Sequence, residues 1–269
     1  MTDWIDALYR ELDQWNYDGV EATFWWRDDD AQTPTPELDQ LLALARRYDA
    51  PLALAVIPAG LDRALATRLE SSAVAVLQHG FAHANHAARG EKKMELGDER
   101  DIEIVQRELS DGLRVLRDAF AARFIAVLTP PWNRIAPSLP PMLAQHGYRG
   151  LSTFAPRAAG EAAPGLRVVN THVDVIDWKR ASVRGARPFV GAHRATEAMV
   201  AHLRGRRCGA FDSAEPTGLL THHLVHDNAC WRFLSQLLAA LDDHPAVKFI
   251  SAAMAFAIDF ESDSVSERD

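Results

Sequence analysis

The chain has 269 residues, a length that suits a single α/β barrel. Hydrophobic residues make up 48% and charged residues 25%, which supplies a core of that size. The net charge is −8 and the basic residues are scattered along the sequence. This disfavours a nucleic-acid partner, because phosphate-backbone binding draws on a basic stripe.

The N-terminal stretch MTDWIDALYRELDQW is acidic and amphipathic and lacks the basic and apolar regions of a signal peptide. EATFWW predicts a strand that runs straight into Asp28, Asp29 and Asp30. TPELDQLLALARRY predicts a helix opened by Thr35 as N-cap, with Pro36 in its first turn. PLALAVIP reads as a strand, GLDRALATRLE as a helix, and SAVAVLQHG as a third strand leading into a histidine-bearing loop. A long amphipathic segment follows over 98–121, then the strand RFIAVLTPP and the short helix SLPPMLAQHG closed by Gly147. YRGLSTF and LRVVNTHVDVID predict further strands, and HRATEAMVAHLRG a helix. GLLTHH is a strand, NACWRFLSQLLAALDDH a helix with Asp227 as its cap, and AVKFIS a last strand.

Continuously apolar strands separated by helices imply a parallel sheet covered on both faces. About seven such units predict one closed or nearly closed β/α barrel over residues 1–260; a doubly wound open sheet satisfies the same pattern. The acidic tail 261–269 is expected to be disordered. Cys208 and Cys230 lack metal-ligand or disulfide spacing, and no run is long enough to span a bilayer. A cytoplasmic protein with structural thiols is the expectation.

Polar clusters follow several predicted strands: Asp28–Asp30, His79, the Pro130-Pro131-Trp132 turn, Asp174–Trp178 and His222. In a parallel α/β fold these positions share the face on which active sites are assembled. Each cluster alone has a plainer reading, as a solvated turn, a helix cap or a surface histidine. Together, an acid and the pair His79 and His83, spaced H-x3-H, supply two imidazoles and one carboxylate. Three ligands with an open position suit a catalytic zinc site, and a second acid beside the first would serve as general base. A dication would also relieve the repulsion within the acid triplet.

These motifs resemble those of the polysaccharide deacetylase superfamily, carbohydrate esterase family four, over roughly residues 22–235. RDDDA is similar to the family's first motif, HGFAH to its second, TPPWNR to its third, DVIDW to its fourth and Leu220-Thr221-His222 to its fifth. The resemblance implies a distorted (β/α)7 barrel and a divalent metal, Zn2+ by ligand type, held by Asp29, His79 and His83. Asp28 would be the base and His222 the general acid, with Asp29/Asp30 as the alternative register of the acid pair and His223 as the alternative histidine. Asp174 or Asp177 would orient His222, and Trp132, Asn133 and Trp178 would line the substrate groove with them.

Two departures mark a divergent branch. The third motif lacks its usual arginine, which leaves Arg27 or Arg134 to supply a charge near the base, and Gly80 stands where a hydroxyl residue is usual. The implied activity is removal of an acetyl group from an acetamido sugar or glycan precursor by activated water. Two alternatives compete with it: a same-fold metalloamidase acting on a cyclic amide or ureide, and an inactive barrel serving as a binding module in glycan biosynthesis. A small-molecule or glycan substrate is therefore the expected partner, and the oligomeric state is left open.

Overall fold

The computed structural model describes residues 3–70, 72–182 and 185–258, so the expectation for the tail 261–269 lies outside the described residues. The first half of the chain carries helix α1 (Asp3–Tyr17), strand β1 (Ala22–Ala31), α2 (Pro36–Arg47), β2 (Leu52–Val56), α3 (Ala64–Leu69), β3 (Ala75–His79), α4 (Ile102–Phe120) and β4 (Phe124–Thr129). The second half carries α5 (Pro140–Gln145), β5 (Gly150–Leu151), β6 (Glu161–Ala163), β7 (Leu166–Val168), β8 (Val173–Asp174), α6 (Ala192–Arg207), β9 (Thr217–Thr221), α7 (Asn228–Asp242), β10 (Val247–Phe249) and α8 (Ala252–Ala255). Local chemistry sets the boundaries. Thr35 accepts the Leu38 amide (3.1 Å) ahead of Pro36, and Asp227 accepts the Cys230 amide (2.7 Å) to start α7.

The strands run in the order β6-β7-β5-β4-β3-β2-β1-β9-β8, and every pairing is parallel except the β6–β7 hairpin. β7 and β8 are the two halves of one extended segment, residues 166–174. Its first half pairs with β5, Gly150 against Arg167 and Leu151 against Val168. The Thr171 amide then donates to Thr153 O (3.1 Å), and the next amide, His172, donates to Gly218 O (2.7 Å). The second half pairs with β9, Val173 against Leu219 and Asp174 against Leu220. As a ladder of named strands the path is open; this segment, bonded to each edge in turn, spans the seam and completes a distorted (β/α)7 barrel.

Alternation sorts the β1 side chains into two layers. Trp25 points inward among Ala53, Leu77, Ile125, Val127 and Val169, over a floor made by α8 and Phe256. Its ring meets Phe256 edge-on at 5.8 Å and donates Nε1–H to Asn170 O (2.9 Å). Burying an indole removes roughly 150–250 Å² from water, about 4–6 kcal/mol of driving force. Gly218 of β9 makes the room, since a Cβ there would stand 2.5 Å from Trp25 Nε1 and from Asn170 O. Phe24 and Trp26 point the other way, into the larger core beneath the helices.

Some predicted elements are shorter than the sequence suggests. The strand 166–177 divides into β7 and β8 because its middle residues change partners at the seam. β10 flanks only Ala22–Phe24, below the start of β2, because β2 takes that edge of β1 from Trp26 onward. Among the described residues no helix is long and apolar enough to cross a membrane.

Candidate active site

The three consecutive acids at the end of β1 meet three different surroundings. Arg27 and Asp29 share the inward face with Trp25, and Asp28 takes the outward face. Asp28 is fully buried there: Oδ2 accepts Thr221 Oγ1–H (2.7 Å) and the His223 amide (3.0 Å), and Oδ1 lies 2.5 Å from His223 Nδ1. Burial opposes charge on both partners, but mutual attraction wins, holding the Asp28 carboxyl below its usual range and raising His223. Asp30 should follow Asp28 outward. Instead its φ of 73°, in the left-handed region, and a shift in the β1–β2 register between Asp28 and Ala31 turn its carboxylate back over the barrel mouth.

Asp30 therefore lies with the histidines, where the expected ligand was Asp29. Asp30 Oδ1 is 3.0 Å from His79 Nε2 and 3.3 Å from His83 Nε2, and one ligand atom from each of the three residues falls within 4.8 Å of the others. Asp29, next to them, is held by Arg27, which donates from NH2 to Oδ2 (3.0 Å) and brings the charge of Nε to 2.8 Å from Oδ1. Arg27 is itself fixed by Ser152 Oγ (2.6 Å), Ser152 O (3.2 Å) and Asn133 Oδ1 (2.7 Å). The arginine missing from the third motif thus has a counterpart two residues before the acid it contacts. Arg134 makes no contact with Asp29; it lines the cavity and donates to Lys93 O (2.8 Å).

The Asp30–His79–His83 cluster fits a divalent cation. His79 Nδ1 lies 2.9 Å from Thr129 O, and a carbonyl can only accept, so Nδ1 carries the ring proton. In the neutral ring, Nε2 then turns a lone pair toward Asp30 Oδ1, a buried oxygen with no hydrogen-bond donor. Two facing acceptors repel unless a cation lies between them or the ring takes a second proton. Burial disfavours that proton, yet the charges of Asp29 and Asp30 raise the His79 pKa, as expected where positive charge is wanted. His83, half-buried, is lowered by desolvation.

A second cluster, His172, His202 and Glu215, has the same residue types but fails the same test. His172 Nδ1 accepts the Gly218 amide (2.9 Å), so the neutral ring carries its proton on Nε2, 3.4 Å from Glu215 Oε2. The stacked imidazoles of His172 and His202 and the carboxylate are a buried polar network of the barrel wall.

Sequence reasoning missed Glu95. Buried beneath the histidine loop, it accepts the amides of Phe81 (3.2 Å), Ala82 (2.7 Å) and Ala84 (3.5 Å). It also explains Gly80, at φ 52°, where a Cβ would collide with the Glu95 carboxylate and with Pro131. Glu95 thus takes over the ordering of this loop that a hydroxyl at position 80 would otherwise provide.

The acids, the histidines and the groove residues open onto one cavity of about 820 Å³, lined among others by Asp29, Asp30, His79, His83 and His222. Trp132, Asn133, Asp174, Asp177 and Trp178 line it too, whereas Asp28 and His223 stand behind its wall. His222 Nε2 is 4.0 Å from Asp29 Oδ2. Neither Asp174 nor Asp177 hydrogen-bonds His222. The Asp174 oxygens accept the Ile176 amide (2.9 Å) and Trp178 Nε1–H (2.7 Å), and burial raises its carboxyl pKa. Asp177 accepts the Lys179 amide (3.1 Å). The edge-on Trp178 ring, at 4.8 Å, sets the plane of His222 instead, and the His222 amide donates to His226 Nε2 (3.3 Å).

The α/β barrel is shared with solved structures of polysaccharide deacetylases. A Mycobacterium smegmatis protein taken to be a polysaccharide deacetylase superposes on 88% of this chain and 90% of its own, with a TM-score of 0.64 and 14% identity. A family 4 acetyl xylan esterase from Clostridium thermocellum, in complex with a cobalt ion, covers 87% and 90% (TM-score 0.53, 13% identity). A peptidoglycan deacetylase from Bacillus subtilis covers 87% and 90% (TM-score 0.52, 13% identity). No family model matches the chain, and no curated protein matches its sequence. At these identities the likeness is one of fold.

Proposed function

We propose that the protein is a metal-dependent hydrolase that removes the acetyl group of an acetamido sugar or glycan precursor. The observation that carries this reading is the convergence of Asp30, His79 and His83 on one point beside the Arg27-held carboxylate of Asp29. The cobalt ion in the Clostridium thermocellum esterase and the activities named for the neighbours support it.

Asp30, His79 and His83 would hold the ion, zinc by ligand type. When bound, it supplies Lewis acidity toward a water and the acyl carbonyl. Asp29 takes the proton from the attacking water, and Arg27 keeps that carboxylate aimed. His222, across the site at 4.0 Å from Asp29, delivers a proton to the departing nitrogen. Trp132 and Trp178 offer apolar faces to the sugar ring. Asp28 takes no part in the chemistry; it clamps the Thr221–His223 turn from behind and so fixes the backbone that presents His222.

Elemental analysis combined with amidase assays tests the reading. Metal-replete wild type should hold one ion per chain and deacetylate N-acetylglucosamine oligomers. Asp30→Ala and His79→Ala should lose the ion, whereas Asp29→Asn should keep it and lose roughly 10²–10⁴-fold in kcat. Metal-free wild type under replete conditions overturns the proposal. Loss of metal in Asp29→Ala with retention in Asp30→Ala overturns the assignment of the acids.

A further inference from the structure

The chain is acidic, yet Lys93, Arg134, Lys179, Arg187 and Arg194 all line the cavity. Arginines elsewhere, among them Arg100, Arg157 and Arg207, are paired with carboxylates. Among the described residues, none of the five cavity cations has such a partner. Their charge is free to act on what enters, and a low-dielectric cleft focuses it.

Their placement is ordered around the site. On one wall Lys93 Nζ lies 5.7 Å from the Trp132 ring, which meets His83 at 4.5 Å. On the other, Arg187 lies 5.7 Å from the Trp178 ring, which meets His222 at 4.8 Å. Lys179 and Arg194 come from the same stretch of chain as Trp178 and Arg187 and line the same cavity. Of the cavity acids on this stretch, Asp174 accepts the Ile176 amide and Trp178 Nε1–H, and Asp177 has its Oδ1 engaged by the Lys179 amide.

We propose that the cavity binds an acetamido sugar bearing a phosphate ester on the ring carbon next to the one that carries the acylated nitrogen, with Lys179, Arg187 and Arg194 receiving the phosphate. This rests on the deacetylase reading, and it follows from the side on which the cations stand. His222 marks the side of the leaving nitrogen. A substituent on the adjacent ring carbon lies on that side too, one indole away from His222, where Arg187 stands over Trp178 and Lys179 and Arg194 line the same cavity. A single carboxylate would satisfy one guanidinium fork, whereas three unpaired cations match a phosphate dianion or a pyrophosphate. The shared chemistry covers a free sugar 1-phosphate and the same sugar on a nucleoside diphosphate.

The test uses the metal-loaded enzyme with four substrates: N,N′-diacetylchitobiose, N-acetylmuramic acid, N-acetylglucosamine 1-phosphate and UDP-N-acetylglucosamine. The phosphorylated sugars should exceed the neutral one in kcat/KM by roughly 10-fold or more, the factor a charge-assisted hydrogen bond supplies, and the advantage should shrink with salt. UDP-N-acetylglucosamine ahead of the 1-phosphate points to a nucleotide carrier; parity points to the phosphate alone. The exposed pair Lys179→Ala/Arg194→Ala should raise KM for the phosphorylated sugars and leave the neutral substrate unchanged. Equal kcat/KM for neutral and phosphorylated sugars overturns the proposal, and so does N-acetylmuramic acid matching the 1-phosphate. If no substrate is deacetylated, the deacetylase reading falls. Calorimetric binding of N-acetylglucosamine 1-phosphate to wild type against the double variant still decides the phosphate site, with equal affinities refuting it.

Discussion

Asp28, Asp29 and Asp30 bring one side chain to three environments, and backbone geometry alone separates them. Alternation along β1 pairs Arg27 with Asp29 and sends Asp28 outward, so the sequence already held the means to fix the register of the acids: the only arginine at i−2 belongs to Asp29. The left-handed backbone at Asp30 was not legible, because aspartate tolerates that region without requiring it. Since Arg27 holds Asp29 through one hydrogen bond and a second close charge contact, Arg27→Lys should retain the metal yet lose about 10–100-fold in kcat. It should also destabilise the fold by about 1–3 kcal/mol, because an ammonium cannot hold Asp29 and still reach Ser152 and Asn133. Metal analysis, steady-state kinetics and denaturant melts check this together, and an unaltered kcat would dissociate Arg27 from the chemistry.

The histidine loop shows how one element takes its order from another. H-x3-H was readable because both histidines lie within one short stretch. Its support was not: Glu95 arrives from a separate turn, and nothing in MELGDE distinguishes it from a solvated acid. Gly80 is the visible trace of that contact. Gly80→Ser would restore the hydroxyl usual at this position but drive its Cβ into Glu95, so we expect weaker metal retention and a lower Tm rather than a gain. Dialysis against a graded chelator series would show it, and a Gly80→Ser protein as metal-tight as wild type would contradict the role given to Glu95. The helices were read well where a cap and a 3.6-residue pattern coincide, as at Thr35 and Asp227. The short strands were read less well, because their extent depends on which neighbour is present to pair with them.

Across the whole molecule, buried neutral histidines make stability depend on pH. Burial lowers the pKa of His226 to about 4 and that of His202 to about 2. The unfolded chain takes up these protons near 6.5, so the stabilisation is complete above that pH. It falls as pH drops toward 4 for His226 and further for His202. Each group contributes at most about 1.4 kcal/mol per pH unit inside its window. Guanidinium denaturation should therefore give a lower midpoint at pH 5 than at pH 7, with a flatter dependence in His202→Gln. An unchanged pH dependence in His202→Gln would show that the His202 ring does not contribute to it.

The segment 166–174 bonds to β5 at one end and to β9 at the other, so the count of residues between its two pairings fixes the circumference of the barrel. One residue inserted between Val169 and His172 would put the two registers out of step and exchange inward for outward side chains on the second half. Asp174 would then leave the cavity, and Trp178 would lose its anchor. A deletion would act in the opposite sense with the same result. Loops such as 87–92, whose hydrogen bonds are local, can change length without touching this register. In any lineage of this chain, length variation should therefore collect in those loops and be absent from the nine residues that close the ring.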